Sequence, residues 1–248
     1  MKNFLLAWQF LTRITLSSKV TFTEKELAGS LIWFPAVGLG LGLMLAGLNW
    51  ALRTWLPEIV VDILVLWSLI YLTRGLHLDG FMDVADGLYA GCEPQKALEI
   101  MHDSHVGGMA VVAVTGLLLV KVFALNALSG QPKYLALLLM PMLGRWGMAY
   151  AACKYKYVST PGSKGTGRIF VERNGLYQFL AASILPVMFT VSLMQLTGAY
   201  LAGLAFLGSA AFSFHLNRRL GGVNGDCLGA VGEVTEIFAL IFMLVLIQ

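Results

Sequence analysis

Apolar stretches of Leu, Val, Ile, Ala and Gly recur along this chain between short polar segments, each close to the roughly 20 residues a helix needs to cross the hydrocarbon of a bilayer. The expected fold class is therefore all-α, a polytopic integral membrane protein with spans at about 31–52, 59–78, 109–128, 134–153, 176–196, 198–214 and 234–248, the last one short. That amounts to about six or seven transmembrane helices. Composition closes off the soluble alternative. With 58% apolar and 12% charged residues and a mean hydropathy of +0.75, the chain lacks the polar surface of a soluble globule, where about 25% of residues are charged. Gly38, Gly42 and Ala46 recur every fourth residue in the first span. They form a small-residue stripe for close helix packing, not a nucleotide fingerprint, because no strand precedes them.

The opening MKNFLLAWQFLTRITLSSK does not read as a cleaved signal peptide, since Trp8, Gln9, Thr12 and Arg13 interrupt the apolar stretch and no A-x-A site follows. Phe4, Leu5, Trp8, Leu11 and Leu16 beside Lys2, Arg13 and Lys19 instead predict an N-terminal amphipathic helix in the membrane interface. Basic residues concentrate on the cytoplasmic side of a membrane, so Lys154, Lys156, Lys164, Arg168 and Arg173 assign residues 154–175 to the cytoplasm. Alternating outward brings Arg74, Lys96, Arg218 and Arg219 inside, leaves Arg53 and Lys133 outside, and puts Lys121 and Arg145 within spans. The same topology makes 79–108 and 215–233 cytoplasmic. These segments hold Asp79, Asp83, Asp86, Glu93, Glu99 and Asp103 and, at or just beyond the second, Asp226, Glu233 and Glu236. Two acidic clusters and one basic loop are thus expected on one membrane face. A net charge of +3 is too mild for a nucleic-acid footprint. Cys92, Cys153 and Cys227 form no CxxC and read as reduced packing residues. With no long linker or internal repeat, a single domain over 1–248 is expected.

Chemistry concentrates in HLDGFMDVADG, His77 to Gly87. On a helix, Asp79, Asp83 and Asp86 fall at i, i+4 and i+7, three carboxylates on one face. Crowded anions raise one another's pKa unless a cation sits among them, and oxygen-only ligands indicate a hard ion such as Mg²⁺. Asp103 follows Pro94, which suits the first turn of a short helix; a helical hairpin would bring it back opposite the triad. Four such carboxylates suit two metals clamping an in-line phosphoryl displacement. The plainer alternative is a solvated acidic face beside a membrane helix. His77, His102, His105 and His215 lie near these acids and suit a general base, or equally hydrogen-bonded interfacial rings. A zinc site is poorly supported, because His102 and His105 lack a third clear ligand.

The loop PGSKGTGR, Pro161 to Arg168, is not a Walker A motif, yet its backbone N–H groups with Lys164 and Arg168 suit a diphosphate as well as an ordinary positive-inside loop. Arg145, inside a span, is costly unless it meets an anion or lines a polar cavity, and a phosphate or carboxylate partner is the favoured reading. Asp226, Glu233 and Glu236, at i, i+7 and i+10, fall near one helical face and suit a second ligand group or helix-start polarity.

Five segments, FLLAWQFLTRI, FPAVGLGLG, GLHLDGFMDVADGL, ALEIMHDSHVG and RRLGGVNGDCLGAVGEVTE, spread over almost the whole chain. Through them it resembles the cobalamin synthases, integral-membrane adenosylcobinamide-GDP ribazoletransferases. That resemblance implies an enzyme joining adenosylcobinamide-GDP and α-ribazole, or its 5′-phosphate, to give adenosylcobalamin, or its phosphate, and GMP, with Mg²⁺ as cofactor. It implies metal at Asp79, Asp83, Asp86 and Asp103, with Asp83, Asp86 and His77 as catalytic groups. Substrate contacts are implied at Arg145, Lys164, Arg168, Ser104, Asp226 and Glu233. The expected partners are these small molecules and the lipid of a bacterial or archaeal cytoplasmic membrane; contacts with a second copy or with pathway enzymes stay open. Rival readings are a CDP-alcohol phosphotransferase, whose signature begins with aspartates spaced like Asp83 and Asp86 but continues differently, a metal-dependent prenyltransferase, and a cation transporter. The transporter requires acids midway across the membrane.

Overall fold

The structure, a computed structural model, describes residues 2–16, 22–91, 93–162 and 165–247; Lys19, Cys92 and Lys164 lie outside these residues. Among the described residues the regular elements are all helices, with one isolated bridge between Tyr157 and Val223. In chain order the elements are α1 (Lys2–Leu11), α2 (Glu24–Gly29), a 3₁₀ turn (Ser30–Trp33), α3 (Phe34–Leu52), α4 (Glu58–Leu72), α5 (Leu76–Tyr89) and α6 (Pro94–Met101). They continue with α7 (Gly108–Asn126), α8 (Gly130–Lys154), α9 (Gly167–Glu172), α10 (Leu176–Leu220) and α11 (Gly225–Ile247). The run 24–52 and the helices α7, α8, α10 and α11 are each long and apolar enough to cross a membrane, and α4 joins them when taken with α5 across their bend. The all-α, multi-pass architecture expected from hydropathy is present.

Three span boundaries differ from the hydropathy reading. The second span ends at Leu72, not near residue 78, and the chain turns 90° into α5. The turn is built by Arg74 and Gly75 in the left-handed region, at φ 58° and 67°. A left-handed Arg is uncommon. Its side chain supplies the compensation: Nη2 donates to the carbonyls of Gln9 at 2.8 Å and Thr12 at 2.9 Å, capping the end of α1. The Arg13 guanidinium lies 3.8 Å from the centre of the Tyr71 ring. The bend is thereby stapled to the N-terminal helix, and α5 runs perpendicular to α4, along the membrane face if α4 crosses it. The last span begins at Gly225 instead of near 234, because the glycines and small residues of GDCLGAVG pack closely enough to stay helical inside the bundle. The two expected spans within 176–214 form α10, which breaks at Gln195 (φ 52°) into arms 176–194 and 196–220.

The bundle is centred on α8, whose residues from Leu139 to Ala149 are buried without interruption. Its neighbour α3 approaches through the small-residue stripe: a Cβ on Gly38 would lie 2.3 Å from the Pro141 carbonyl oxygen, and one on Gly42 2.4 Å from that of Leu138. Backbone cannot yield as a flexible side chain can. Gly38→Leu is therefore expected to destabilise by about 3 kcal/mol or more, read as a lowered midpoint in thermal unfolding of the detergent-solubilised protein. An unchanged midpoint would contradict this packing. At the end of the bundle away from α5, Lys133, expected in an outer loop, is buried, with Nζ 2.9 Å from Asp62 and 2.5 Å from Glu58.

Candidate active site

Three segments far apart in sequence meet at one end of the bundle because glycines let their backbones touch. A Cβ on Gly80 of α5 would lie 2.7 Å from the Asp226 Cα, and one on Gly167 of α9 2.6 Å from the Gly225 Cα. The buried Asn224 accepts the Cys227 N–H at 2.9 Å through its Oδ1 and starts α11 at this junction. The acidic helix, the glycine-rich loop and the acidic start of the last span thus share one end, as the charge pattern led one to expect.

Between them lies a cavity of about 350 Å³. Phe10, Phe34 and Phe170, whose ring centres lie 4.8 to 6.1 Å apart, line it together with Tyr157, His77, Asp83, His102 and Asp226. A neighbouring cavity of about 480 Å³ shares Phe10, Leu76 and Thr166 with the first and is bordered by Asp79 and Arg74. The two adjoin along the face of α5 that carries Asp79 and Asp83. Aromatic rings and carboxylates in one cavity suit a substrate that carries both a flat ring and phosphate, with a cation to mediate.

The structure separates the expected ligands. Asp83 and Asp226 line the first cavity and Asp79 the second. Asp86 turns away: its carboxylate accepts the N–H groups of Gly107 at 2.7 Å and Ala110 at 2.8 Å, capping the N-terminus of α7 from outside that helix. Asp103 is exposed and accepts from His105 Nδ1 at 2.6 Å and its backbone N–H at 2.9 Å, which holds its carboxyl below the usual range. Ser104 is exposed in the same turn. Residues Met101 and His102, not Asp103, bring the end of α6 to the cavity.

The expected cationic ligands also have other partners. Arg145 is 1% exposed; its Nη1 pairs with Glu236 and its Nη2 stands 3.1 Å from His77 Nδ1. The anion its burial demanded is a carboxylate of the same chain. Arg168 donates to Glu172 at 3.1 Å and lies 3.9 Å from Glu24. Glu233, expected near the membrane edge, is eight residues into α11, about 12 Å along its axis, where Lys121 Nζ meets it at 2.6 Å and Glu236 at 2.5 Å. Lys121, Arg145, Glu233 and Glu236 form one buried network of balanced charge. The acids deep in the span are neutralised by the protein itself, unlike those of an ion pathway.

Asp83 sits half-buried among like charges. Burial first, then the charges of Asp226, Asp79 and Asp86, push its pKa up to about 7. A carboxylate raised by its like-charged neighbours is what a divalent cation reverses. The donors Asp79, Asp83 and Asp226, all oxygen, fit Mg²⁺ in chemistry, although among the described residues no three His, Cys, Asp or Glu side chains stand together as a metal group.

Sequence reasoning missed the aromatic cluster, because Phe10, Phe34 and Phe170 look like ordinary apolar positions of their helices. It also passed over Lys121 as a partner for the acids of α11, a match that opposite charges inside two spans did signal.

The cobalamin-5-phosphate synthase family profile matches residues 3–244. Curated relatives named adenosylcobinamide-GDP ribazoletransferase include proteins of Desulforamulus reducens, 37% identical over 96% of this chain and 94% of the relative, and Acetivibrio thermocellus, 36% identical over 97% and 96%. One from Caldanaerobacter subterraneus is 32% identical over 99% of both chains. No solved structure matches.

Proposed function

The chain belongs to the cobalamin-5-phosphate synthase family, and we propose that it joins adenosylcobinamide-GDP to α-ribazole or its 5′-phosphate, giving adenosylcobalamin or its phosphate and GMP. The observation that carries this reading to particular residues is the cavity that Phe10, Phe34 and Phe170 share with Asp83 and Asp226. A ribose hydroxyl of the ribazole that a 5′-phosphate leaves free attacks the cobinamide-linked phosphorus, the bond from that phosphorus to the oxygen of GMP breaks, and the hydroxyl proton passes to a base.

At about 350 Å³ the cavity is at the lower end of the range for small-molecule pockets. It holds a nucleoside-sized group, with the ring against Phe34, Phe170 and Tyr157, and leaves the much larger corrin at the mouth beside α1. Asp79, Asp83 and Asp226 would hold Mg²⁺, which when bound supplies neutralisation of the charge on the transferred phosphoryl group. The Lys and Arg distribution favours the cytoplasm for this face.

Purified protein in liposomes, given adenosylcobinamide-GDP and α-ribazole, is expected to release GMP and corrinoid product in equal amounts. EDTA is expected to abolish product and added Mg²⁺ to restore it. Absence of product from folded protein would overturn the assignment, and full activity in EDTA would remove the metal from it.

A further inference from the structure

We propose that Arg145 and Glu236 hold His77 as the neutral imidazole with its proton on Nε2, so that His77 serves the cavity as a fixed hydrogen-bond donor and not as its base. The donor role rests on the active-site reading above; the tautomer does not.

The chain of contacts begins inside the bundle. Lys121 and Arg145 grip Glu236 from two helices, and Arg145 extends its second terminal nitrogen to within 3.1 Å of His77 Nδ1. A guanidinium has only N–H donors and keeps its charge in proteins. Nδ1 can therefore take part only as an acceptor, through its lone pair. A ring whose Nδ1 accepts is neutral and carries its hydrogen on Nε2. The backbone below the ring is pinned too, since a Cβ on Gly229 would lie 3.0 Å from the His77 Cα.

Nε2 is the atom left over. It is buried and has no hydrogen-bond partner. The other such side-chain atoms among the described residues belong to Trp8, Tyr134, Arg145, Ser159 and Ser209; His77 alone of these six residues lines the cavity with Asp83 and Asp226. A buried donor without an acceptor is unfavourable, and a ligand oxygen entering the cavity removes that cost. The chemistry it selects is an oxygen acceptor, such as a phosphoryl oxygen of the nucleotide substrate. With Nδ1 engaged and Nε2 already protonated, the ring has no lone pair for the proton of the attacking ribose hydroxyl, which goes instead to one of the cavity's carboxylates. Arg145 and Glu236 act through His77 and are positioning residues.

Two measurements test this. In protein labelled with ¹⁵N-histidine, the resonance pair missing from the His77→Gln spectrum identifies His77 among the four histidines. It is expected to show a protonated Nε2 and an unprotonated Nδ1. A proton on Nδ1, alone or with one on Nε2, would overturn the proposal, whatever reaction the enzyme catalyses. In the conversion assay, His77→Ala is expected to lower kcat about a hundredfold, the usual loss for one oxyanion donor, with little change in KM for ribazole. His77→Gln places an amide N–H near the Nε2 position and is expected to recover at least about tenfold of that loss. Equal inactivity of the two variants, both folded, would mean a base and would overturn the donor role. If wild-type protein forms no product, the reaction reading fails while the spectrum still decides the tautomer.

Discussion

Replacing Asp83 by Asn is expected to lower turnover by about a thousandfold or more, the scale set by removing a group that binds metal or transfers a proton, without loss of folded protein. Asn has the same shape, and the side chain it replaces sits beside Asp226, Asp79 and Asp86, whose charges help raise its pKa to about 7. The direction of the stability effect follows from linkage. A carboxyl whose folded pKa lies above its unfolded value of 3.8 binds more protons folded than unfolded between those values, so metal-free protein loses stability as pH rises through that window. Asp83→Asn removes this penalty. Its unfolding midpoint at pH 8 in EDTA should equal or exceed that of wild type. Asp86→Asn separates the two roles: its carboxylate caps Gly107 and Ala110, and a neutral amide offers one acceptor in place of two. A loss of about 1 kcal/mol of stability is expected there. Retained turnover in Asp83→Asn would remove Asp83 from the chemistry.

Glu236→Leu is expected to be strongly destabilising. It leaves Lys121 and Arg145 buried with only Glu233 between them, and an unpaired buried charge costs about 3–5 kcal/mol. Folded protein should be recovered poorly from detergent extracts, and its melting should fall well below that of wild type. The double substitution Glu236→Leu with Arg145→Met restores the balance, because Lys121 keeps Glu233 at 2.6 Å. Replacing a buried ion pair by apolar side chains is often neutral or better, so most of the stability should return. Activity should not, since His77 has lost the group that orients it. A double variant no more stable than Glu236→Leu alone would show that the network is not held by charge balance.

The chemically important boundary in this chain is the 90° bend after α4. Hydropathy dips at Thr73, Arg74 and Gly75, but the apolar Leu76 and Leu78 extend the pattern beyond them, so it does not tell a bend from a span that continues. The bend arises from left-handed Arg74 and Gly75, and what holds Arg74 there is a pair of carbonyls on α1. No local propensity encodes that contact. The same is true of the start of α11. A run rich in Gly, Asp and Glu reads as a loop until Gly80, Gly167 and Gly229 are seen against their neighbours.

What the sequence by itself determined is whatever depends on nearby residues: helical spans from apolar run length, three aspartates on one face of α5 from their spacing, and the segregation of acids and bases to common segments. Arg145 could also be read as needing an anion, because the cost of a buried charge does not depend on who neutralises it. Only the tertiary structure decided that the anion is Glu236, that Asp86 caps a helix while Asp83 faces a cavity, and that Asp226 joins it from the far end of the chain. The physical reason is common to all three. Each carboxylate is equally able to cap a dipole, pair with a cation or ligate a metal, and which it does is settled by the helix packed against it.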